Sequence, residues 1–152
     1  SISTYSPEFS ILIGSLVFFI FYNWSPAKIF MGDIGSTFLG AIYFMILLKS
    51  TDFSQLIMNI LIATPILFDG ISCISIRILK KQNIFLPHKL HLYQRLNQAG
   101  IKHSKISLIY ISSTFFLVFV SLFQNNLLLF VASFMIVLLG LFLNNKYATE
   151  FI

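Results

Sequence analysis

The chain has 152 residues, of which 57% are hydrophobic and only 10% are charged, with a net charge of +5 at pH 7. Soluble domains are usually about one quarter charged, so a soluble fold of this composition would have too few polar side chains to cover its surface. The composition therefore favours an integral membrane protein. The single cysteine excludes a disulfide framework within the chain and argues against a cysteine metal site.

The sequence begins with serine rather than methionine, and no basic segment followed by a small-residue cleavage site is recognisable. We expect the chain to be the C-terminal part of a longer protein. The expected domain, residues 1–152, would then be one half of a larger membrane domain. Its partner would be the missing N-terminal half or a second copy of the chain.

Five apolar segments are long enough, or nearly long enough, to cross a lipid bilayer. A helix needs about 20 residues, with a range of about 17–25, to span the hydrocarbon core at a rise of about 1.5 Å per residue. The sequence therefore predicts an all-α, polytopic integral membrane protein with about five transmembrane helices. The predicted spans are residues 9–27, 33–51, 56–79, 106–123 and 127–143, and a histidine-containing cytoplasmic loop is predicted over residues 80–105.

The positive charges predict one orientation for these spans. Every lysine and arginine except Lys49 lies close to the same side of the five-span arrangement. Because positively charged loops stay in the cytoplasm, the loop around Lys28, the 80–105 loop and the C-terminus are predicted to be cytoplasmic. Basic loops beside membrane spans are ordinary, so no nucleic-acid partner is predicted.

The loop between the first two spans reads NWSPAKIFMGDIGSTFLG and contains Asp33 between Gly32 and Gly35. Glycines let the backbone approach a ligand closely, and a helix N-terminus favours anions such as phosphate. A carboxylate is a hard oxygen ligand for Mg²⁺. This pattern is compatible with a magnesium and phosphate site. The alternative is structural, because an aspartate at the start of a helix also caps free N–H groups.

The second loop reads RILKKQNIFLPHKLHLYQRLNQAGIKHSKIS and contains all three histidines of the chain. His88 and His91 are three residues apart, so they would share one face of a helix starting after Pro87. Histidines among cations favour an anionic ligand such as a diphosphate. A zinc site is less favoured, because no neighbouring carboxylate or cysteine completes the ligand set. An interfacial amphipathic helix is the structural alternative.

Asp69 lies within the third predicted span, in the segment TPILFDGIS. An acidic residue inside a membrane span indicates a functional role by default. Arg77 lies two helical turns further on, about 12 Å along the axis, which is too far for a direct ion pair. We therefore expect Asp69 to contact another helix or a bound cation.

Together these segments resemble the polyprenyl-phosphate N-acetylhexosamine-1-phosphate transferases, membrane enzymes of glycosyltransferase family 4. The resemblance rests on NWSPAKIFMGDIGSTFLG, on TPILFDGISCISIRIL, which is similar to a Pro-x-x-x-Asp helix ending in arginine, and on LPHKLHLYQRLNQAGIKHSKIS, in the place of a cytoplasmic histidine loop. It implies transfer of an N-acetylaminosugar 1-phosphate from a UDP-sugar to undecaprenyl phosphate, with Mg²⁺ or Mn²⁺ as the cofactor and UMP as the second product. In a bacterial inner membrane this step would initiate a cell-envelope glycan such as lipopolysaccharide O-antigen.

The resemblance also implies roles for individual residues. Asp33 would be the metal ligand, and His91 and His88 would act on the diphosphate. Because both loops are predicted on the same face of the membrane, they would form one site. The implied substrate-binding residues are Asn23, Lys28, Phe30, Gly35, Ser36, Asp69, Lys89 and Arg95, with Phe30 a candidate for stacking on uracil.

Two features depart from the family pattern. The family's histidine loop usually reads Pro-Asp-Arg-Gly-His-x-His-His, whereas here His88 and Lys89 replace its Asp and Arg. This form resembles a branch that initiates glycans with modified amino sugars. The family's adjacent-aspartate motif is absent, because the five acidic residues of this chain are isolated from one another. One carboxylate rarely makes a working Mg²⁺ site, so we expect the chain alone to be inactive.

Two other functions fit part of the pattern. A transporter fragment would use Asp69 and a helix weakened by Pro65 as an ion site, but no internal repeat is recognisable. A non-catalytic membrane scaffold would explain the hydrophobicity and the charge asymmetry. It would leave the sequence Gly32-Asp33-x-Gly35-Ser36 unexplained.

Overall fold

The structure is a computed structural model that describes the backbone of residues 7–151 and the side chains of residues 9–151. The expected domain, residues 1–152, thus has both its ends outside the described part. Every regular element within the described residues is an α-helix, which confirms the all-α class. The helices are α1 Pro7–Asn23, α2 Gly32–Leu48, α3 Phe53–Ile62, α4 Thr64–Leu79, α5 Leu92–Gln98, α6 His103–Ser121 and α7 Asn126–Lys146.

The helices agree with a polytopic membrane protein, although not all five predicted spans reach full length. Within the described residues, α6 and α7 combine sufficient length, 19 and 21 residues, with sufficient hydropathy, and α3 with α4 would add a third span if the bent pair crosses as one. The helices α1 and α2 are shorter, at 17 residues each. The reason is that residues 24–27 and 49–51, which the predicted spans included, lie outside the helices.

The predicted span 56–79 is broken into two helices. α3 ends at Ile62, α4 begins at Thr64, and the two helices are bent by 73°. Pro65 lies in the first turn of α4, where its missing N–H would be free in any case. Inside a continuous helix the same proline would remove a backbone hydrogen bond and clash with the preceding turn, which accounts for the break.

The chain divides into two compact units, residues 1–45 and residues 46–152. In the second unit α3, α4, α6 and α7 pack against one another, and the short α5 packs against α4, α6 and α7. Two buried apolar clusters lie at opposite ends of the α6–α7 hairpin. One consists of Leu117, Val120, Leu129 and Ala132, and the other of Leu92, Leu96 and Ile106.

Many large apolar side chains lie on the outside of these helices. Phe115 and Phe119 of α6 and Phe130 of α7 are each more than half exposed. In water such surfaces would promote aggregation, whereas in a bilayer they contact lipid. The outer faces of the spans are therefore suited to hydrocarbon, and few apolar side chains remain for the interior.

α4 and α7 approach each other closely at Gly140. A Cβ atom at this position would lie 2.6 Å from Cε1 of Phe68 and 3.0 Å from its Cδ1. Small residues permit this kind of close approach between membrane helices. Because Phe68 precedes Asp69 on α4, the absence of a side chain at Gly140 also helps to position Asp69.

We expect Gly140→Val to destabilise the second unit, because its side chain would overlap with the ring of Phe68. Overpacking of this kind costs about 1–3 kcal/mol. Thermal unfolding of the detergent-solubilised chain, followed by circular dichroism, should show a lower midpoint for this variant.

Gly70→Ala is the matched control for this substitution. A Cβ atom at Gly70 meets nothing within 4 Å, and alanine favours a helix over glycine by up to about 1 kcal/mol. Its midpoint should be unchanged or higher. Equal midpoints for the two variants would contradict the close approach at Gly140.

Candidate functional site

The first loop folds back on the C-terminal end of α1. The carbonyl of Tyr22 accepts hydrogen bonds from the backbone N–H groups of Lys28, at 2.9 Å, and Ile29, at 3.4 Å. The side chain of Asn23 donates from Nδ2 to the carbonyl of Ile29 at 2.7 Å. These bonds shape the loop, and they leave the side chains of Lys28 and Phe30 exposed.

Asp33 is exposed at the start of α2. The helix begins at Gly32, whose φ of +65° lies in the left-handed region that glycine tolerates best. Asp33 is therefore in the first turn and not at the capping position before the helix. The hydroxyl of Ser36 donates to the backbone carbonyl of Asp33 at 3.0 Å. Among the described residues the carboxylate itself has no hydrogen-bond partner, so its oxygens are available to a ligand.

Gly35 lies one turn into the same helix, on the side of the preceding loop. A Cβ atom at this position would overlap with the side chain of Met31. The glycine therefore lets the loop pack against the first turn of α2. Its predicted contact with substrate, like those of Asn23, Lys28, Phe30 and Ser36, stays a prediction.

The second loop is organised by the carboxylate of Asp69, which is 4% exposed on α4. Oδ1 accepts a hydrogen bond from the backbone N–H of Leu92 at 2.7 Å. Oδ2 accepts from the backbone N–H of Tyr93, at 3.3 Å, and from the hydroxyl of Tyr110, at 2.7 Å. A carboxylate from a distant helix thus satisfies free N–H groups at the N-terminus of α5. This confirms that Asp69 contacts other helices instead of Arg77.

The same carboxylate lies beside His91, the residue that precedes α5. Nδ1 of His91 is 3.4 Å from Oδ1 of Asp69. The ring centroid of His91 lies 5.2 Å from that of His88 and 5.7 Å from that of Tyr93, which stacks on it. The prediction that the two histidines share a helical face is wrong, because α5 begins only at Leu92. Their rings are brought together by a non-helical segment.

His88 is half-buried and lies close to Cys73 of α4. Nδ1 of His88 is 3.9 Å from Sγ of Cys73. Burial lowers the pKa of His88, and the neighbouring Arg77 and His91 lower it further. The imidazole is therefore neutral near pH 7 and retains a lone pair for a hydrogen bond or a metal ion.

Arg77 is buried near the end of α4 and holds the segment that follows this helix. Its guanidinium donates to the backbone carbonyls of Asn83, of Ile84 at 3.3 Å and of Leu86 at 3.3 Å. These bonds turn the chain back towards α4. As a result His88 lies next to the helix from which the loop departs.

Arg95 of α5 is buried as well and is engaged within the protein. Its guanidinium donates to Oδ1 of Asn144 on α7 and lies 5.1 Å from the ring centroid of Phe151. These contacts attach α5 to α7 and to the C-terminal residues. The substrate-binding roles of Arg95 and of the exposed Lys89 stay predictions.

A cleft of about 360 Å³ opens beside Asp69 and His91. This volume falls within the range of small-molecule sites. Its polar wall is formed by the side chains of Tyr93, His103 and Tyr110. Imidazole and phenol groups in a cleft of this size are suited to a polar or anionic ligand.

The sequence-based interpretation did not single out Cys73, Tyr93 or Tyr110. One signal was available for the cysteine, because it follows Asp69 by four residues and therefore shares its helical face. No comparable signal pointed to Tyr110, which meets Asp69 only through the packing of α4 against α6.

Comparison with known proteins agrees with these features. Residues 3–51, which include the Asp33 loop, match the family described as Glycosyl transferase family 4. A probable undecaprenyl-phosphate N-acetylglucosaminyl 1-phosphate transferase of Bacillus subtilis (strain 168) is 43% identical over 97 residues. Over residues 3–51 the chain is thus similar to glycosyl transferase family 4.

Two further relatives are also transferases, by their names. A decaprenyl-phosphate N-acetylglucosaminephosphotransferase of Mycobacterium leprae (strain TN) is 32% identical over 117 residues, and a phospho-N-acetylmuramoyl-pentapeptide-transferase of Chlamydia muridarum (strain MoPn / Nigg) is 38% identical over 84 residues. The matches cover 61%, 65% and 53% of this chain but only 27%, 29% and 24% of the Bacillus, Mycobacterium and Chlamydia proteins. Among solved structures none matches significantly.

We expect Asp69→Asn to loosen α5. An asparagine offers one acceptor oxygen and directs an NH₂ group at the N–H donors, so the backbone amide of Leu92 or Tyr93 loses its partner. A hydrogen bond to a charged group contributes about 1.5–3 kcal/mol to stability. Loss of one such bond therefore corresponds to a rise of at least about tenfold in the rate of amide hydrogen exchange in α5.

Tyr110→Phe is the control, because it removes one donor and leaves both backbone amides bonded to the carboxylate. Its effect on exchange in α5 should be several-fold smaller. If α5 exchanged at the native rate in Asp69→Asn, the carboxylate would not be what holds this helix.

Proposed function

We propose that this chain takes part in the transfer of an N-acetylaminosugar 1-phosphate from a UDP-sugar to undecaprenyl phosphate. The product would initiate a cell-envelope glycan, such as lipopolysaccharide O-antigen or another cell-wall polymer. One observation carries the proposal. The segment that matches the family contains Asp33 as an exposed carboxylate without a hydrogen-bond partner among the described residues.

In the proposed reaction an oxygen of undecaprenyl phosphate attacks the phosphorus atom that bears the sugar. A new P–O bond forms, the P–O bond to the uridylyl phosphate breaks, and UMP leaves with the electron pair of that bond. Negative charge accumulates on oxygens around the transferred phosphorus. Catalysis therefore depends on cationic groups and hydrogen-bond donors that stabilise this charge.

Asp33 fits Mg²⁺, or Mn²⁺, as one oxygen ligand. Of the other aspartates, Asp52 accepts the backbone N–H of Gln55 at 2.7 Å and caps α3, and Asp69 is engaged with α5 and Tyr110. Bound metal would neutralise phosphate oxygens. Because Mg²⁺ usually takes one or two carboxylates together with phosphate oxygens and water, Asp33 would supply part of its coordination.

In the second loop we assign binding of the diphosphate to His91. Its imidazole borders the cleft and is held beside Asp69, which keeps the ring in place for donation to a phosphate oxygen. His88 and Lys89 would add donors and positive charge from the same loop, and Arg95 would act through the position of α5. In this proposal Asp69 is a positioning residue for His91.

In the first loop we assign binding of the nucleotide to Phe30. This ring is 78% exposed and is suited to stacking on uracil. In the same loop Asn23 fixes the backbone through its hydrogen bond, and Lys28 supplies a positive charge. Gly35 and Ser36 lie in the helical turn that begins around Asp33. These residues would bind the UDP-sugar.

We further propose that α1 and α2 also cross the bacterial inner membrane, which would make the chain a multi-pass protein with five spans. At 17 residues each extends about 25 Å, close to the lower limit for spanning the hydrocarbon core. Lys28 in the first loop and the basic residues of the 80–105 loop support a cytoplasmic location for both loops. Another part of a longer protein, or a second copy, would complete the site.

We expect the purified 152-residue chain to be inactive alone, because Asp33 has no adjacent acidic residue that would complete the ligands of the metal. The test uses proteoliposomes with undecaprenyl phosphate, Mg²⁺ and radiolabelled UDP-N-acetylglucosamine, with the Bacillus relative as the positive control. Formation of lipid-linked sugar phosphate by the chain alone would contradict this expectation.

A chimaera tests Asp33 itself, with this chain in place of the segment of the Bacillus relative to which it aligns. Asp33→Asn keeps the shape of the side chain but removes the negative charge that a metal requires. We expect membrane insertion to be unchanged and turnover to fall at least about 100-fold, a loss that corresponds to about 2.7 kcal/mol of transition-state stabilisation.

Asp52→Asn is the matched control in the same chimaera. It makes the same chemical change, and asparagine caps a helix as well as aspartate does. Its activity should stay within about twofold of the unsubstituted chimaera. Near-normal turnover in Asp33→Asn would remove Asp33 from the mechanism.

A further inference from the structure

Three potential metal ligands meet between α4 and the second loop. Sγ of Cys73 and one ring nitrogen each from His88 and His91 all lie within 4.8 Å of one another. Cys73 is 2% exposed, and the two imidazoles are half-buried. The sequence-based argument against zinc, that no cysteine adjoins these histidines, is wrong because the loop returns to α4.

From this cluster we infer that Cys73, His88 and His91 form a binding site for a divalent transition-metal ion of the zinc class. A thiolate with two imidazoles is a soft to borderline donor set, which favours Zn²⁺ over Mg²⁺. The site differs in its donors from the Asp33 carboxylate, which is a hard oxygen ligand. The inference concerns metal binding and does not rest on the transferase activity proposed above. The ring nitrogen of His91 that binds a metal ion cannot donate to a phosphate oxygen at the same time, so the two roles of this residue exclude each other.

The three ligand atoms must move slightly closer together to bind one metal ion. In a tetrahedral zinc site, with Zn–S bonds of about 2.3 Å and Zn–N bonds of about 2.0–2.1 Å, ligand atoms are separated by about 3.3–3.6 Å. Sγ of Cys73 is already 3.9 Å from Nδ1 of His88. Rotation of two half-buried imidazoles, on a segment outside any helix, can close the remaining gap of about 1 Å.

Asp69 supplies the outer contact that metal-bound histidines usually have. A carboxylate that accepts from one ring nitrogen leaves the lone pair of the other nitrogen for the metal, and Asp69 lies 3.4 Å from Nδ1 of His91. The thiolate of Cys73 and this carboxylate together balance the charge of a divalent ion. The nearby guanidinium groups of Arg77 and Arg95 are engaged with loop carbonyls and with an asparagine side chain.

The fourth position of this site would be open to solvent, because His88 and His91 are only partly buried. Three protein ligands with an open fourth position are common among zinc sites that exchange ligands. A bound ion would also link the segment of His88 and His91 to α4.

Cobalt spectroscopy tests the site on the full 152-residue chain, purified in detergent without a polyhistidine tag. Thiolate-bound Co²⁺ gives a charge-transfer absorption band in the near ultraviolet, and in this chain the band can arise only from Cys73, its single cysteine. We expect the band to saturate at one Co²⁺ per chain and to disappear on addition of Zn²⁺. Absence of the band, or saturation at one metal per two chains, would overturn the inference.

Substitutions then identify the ligands. Cys73→Ser should abolish the band, and His88→Gln and His91→Gln should each weaken Zn²⁺ binding at least about tenfold. His103→Gln is the matched control, because His103 lines the cleft but does not belong to the cluster. The Zn²⁺ affinity of this variant should stay within about twofold of that of the unsubstituted chain. Equal weakening by His103→Gln would overturn the assignment.

Thiol protection provides a measurement that needs no variant. In the native chain Zn²⁺ should slow alkylation of Cys73 by iodoacetamide at least about tenfold, whereas Mg²⁺ at the same concentration should leave the rate unchanged. An alkylation rate that does not respond to Zn²⁺ would overturn the inference, whether or not the variants fold.

Discussion

The buried carboxylate of Asp69 joins α4, α5 and α6, and the geometry of the second loop depends on it. A carboxylate loses several kcal/mol of hydration when it is buried, so it is retained only where donors surround it. Here the donors are the first two N–H groups of α5 and the hydroxyl of Tyr110. A helix of seven residues is too short to be stable in isolation, so α5 depends on this contact and on its packing. Because His91 immediately precedes α5, its position depends on the same carboxylate.

Polar contacts are important in holding these helices together, because few apolar side chains are buried among the described residues. In a bilayer the outer faces of the helices remain apolar, and association relies on close packing and on hydrogen bonds between helices. Gly140 provides the close packing against Phe68, and Asp69 provides the hydrogen bonds one residue further along α4. Arg77 and Arg95 act in the same way at the loop, where each satisfies backbone or amide oxygens instead of pairing with an acid.

The two loops offer different chemistry to cations. Asp33 presents hard carboxylate oxygens at an exposed helix N-terminus, which suits a strongly hydrated ion bound together with phosphate. Cys73, His88 and His91 present sulfur and nitrogen in a half-buried cluster, which suits zinc. Hard and soft donors select different ions in the same medium, so the two loops would bind different ions.

Sequence alone was sufficient for the membrane class, the all-α fold, the approximate position of α6 and α7 and the weak point at Pro65, because these follow from composition and from interactions within a few residues. It also indicated that Asp69 needed a partner outside its own helix. It did not show that the partners would be the amides of α5 and Tyr110, and it placed His88 on a helix that begins only after His91. Those features were decided by tertiary structure, since they join groups 15 to 41 residues apart that meet only when Arg77 turns the loop back and α6 packs on α4.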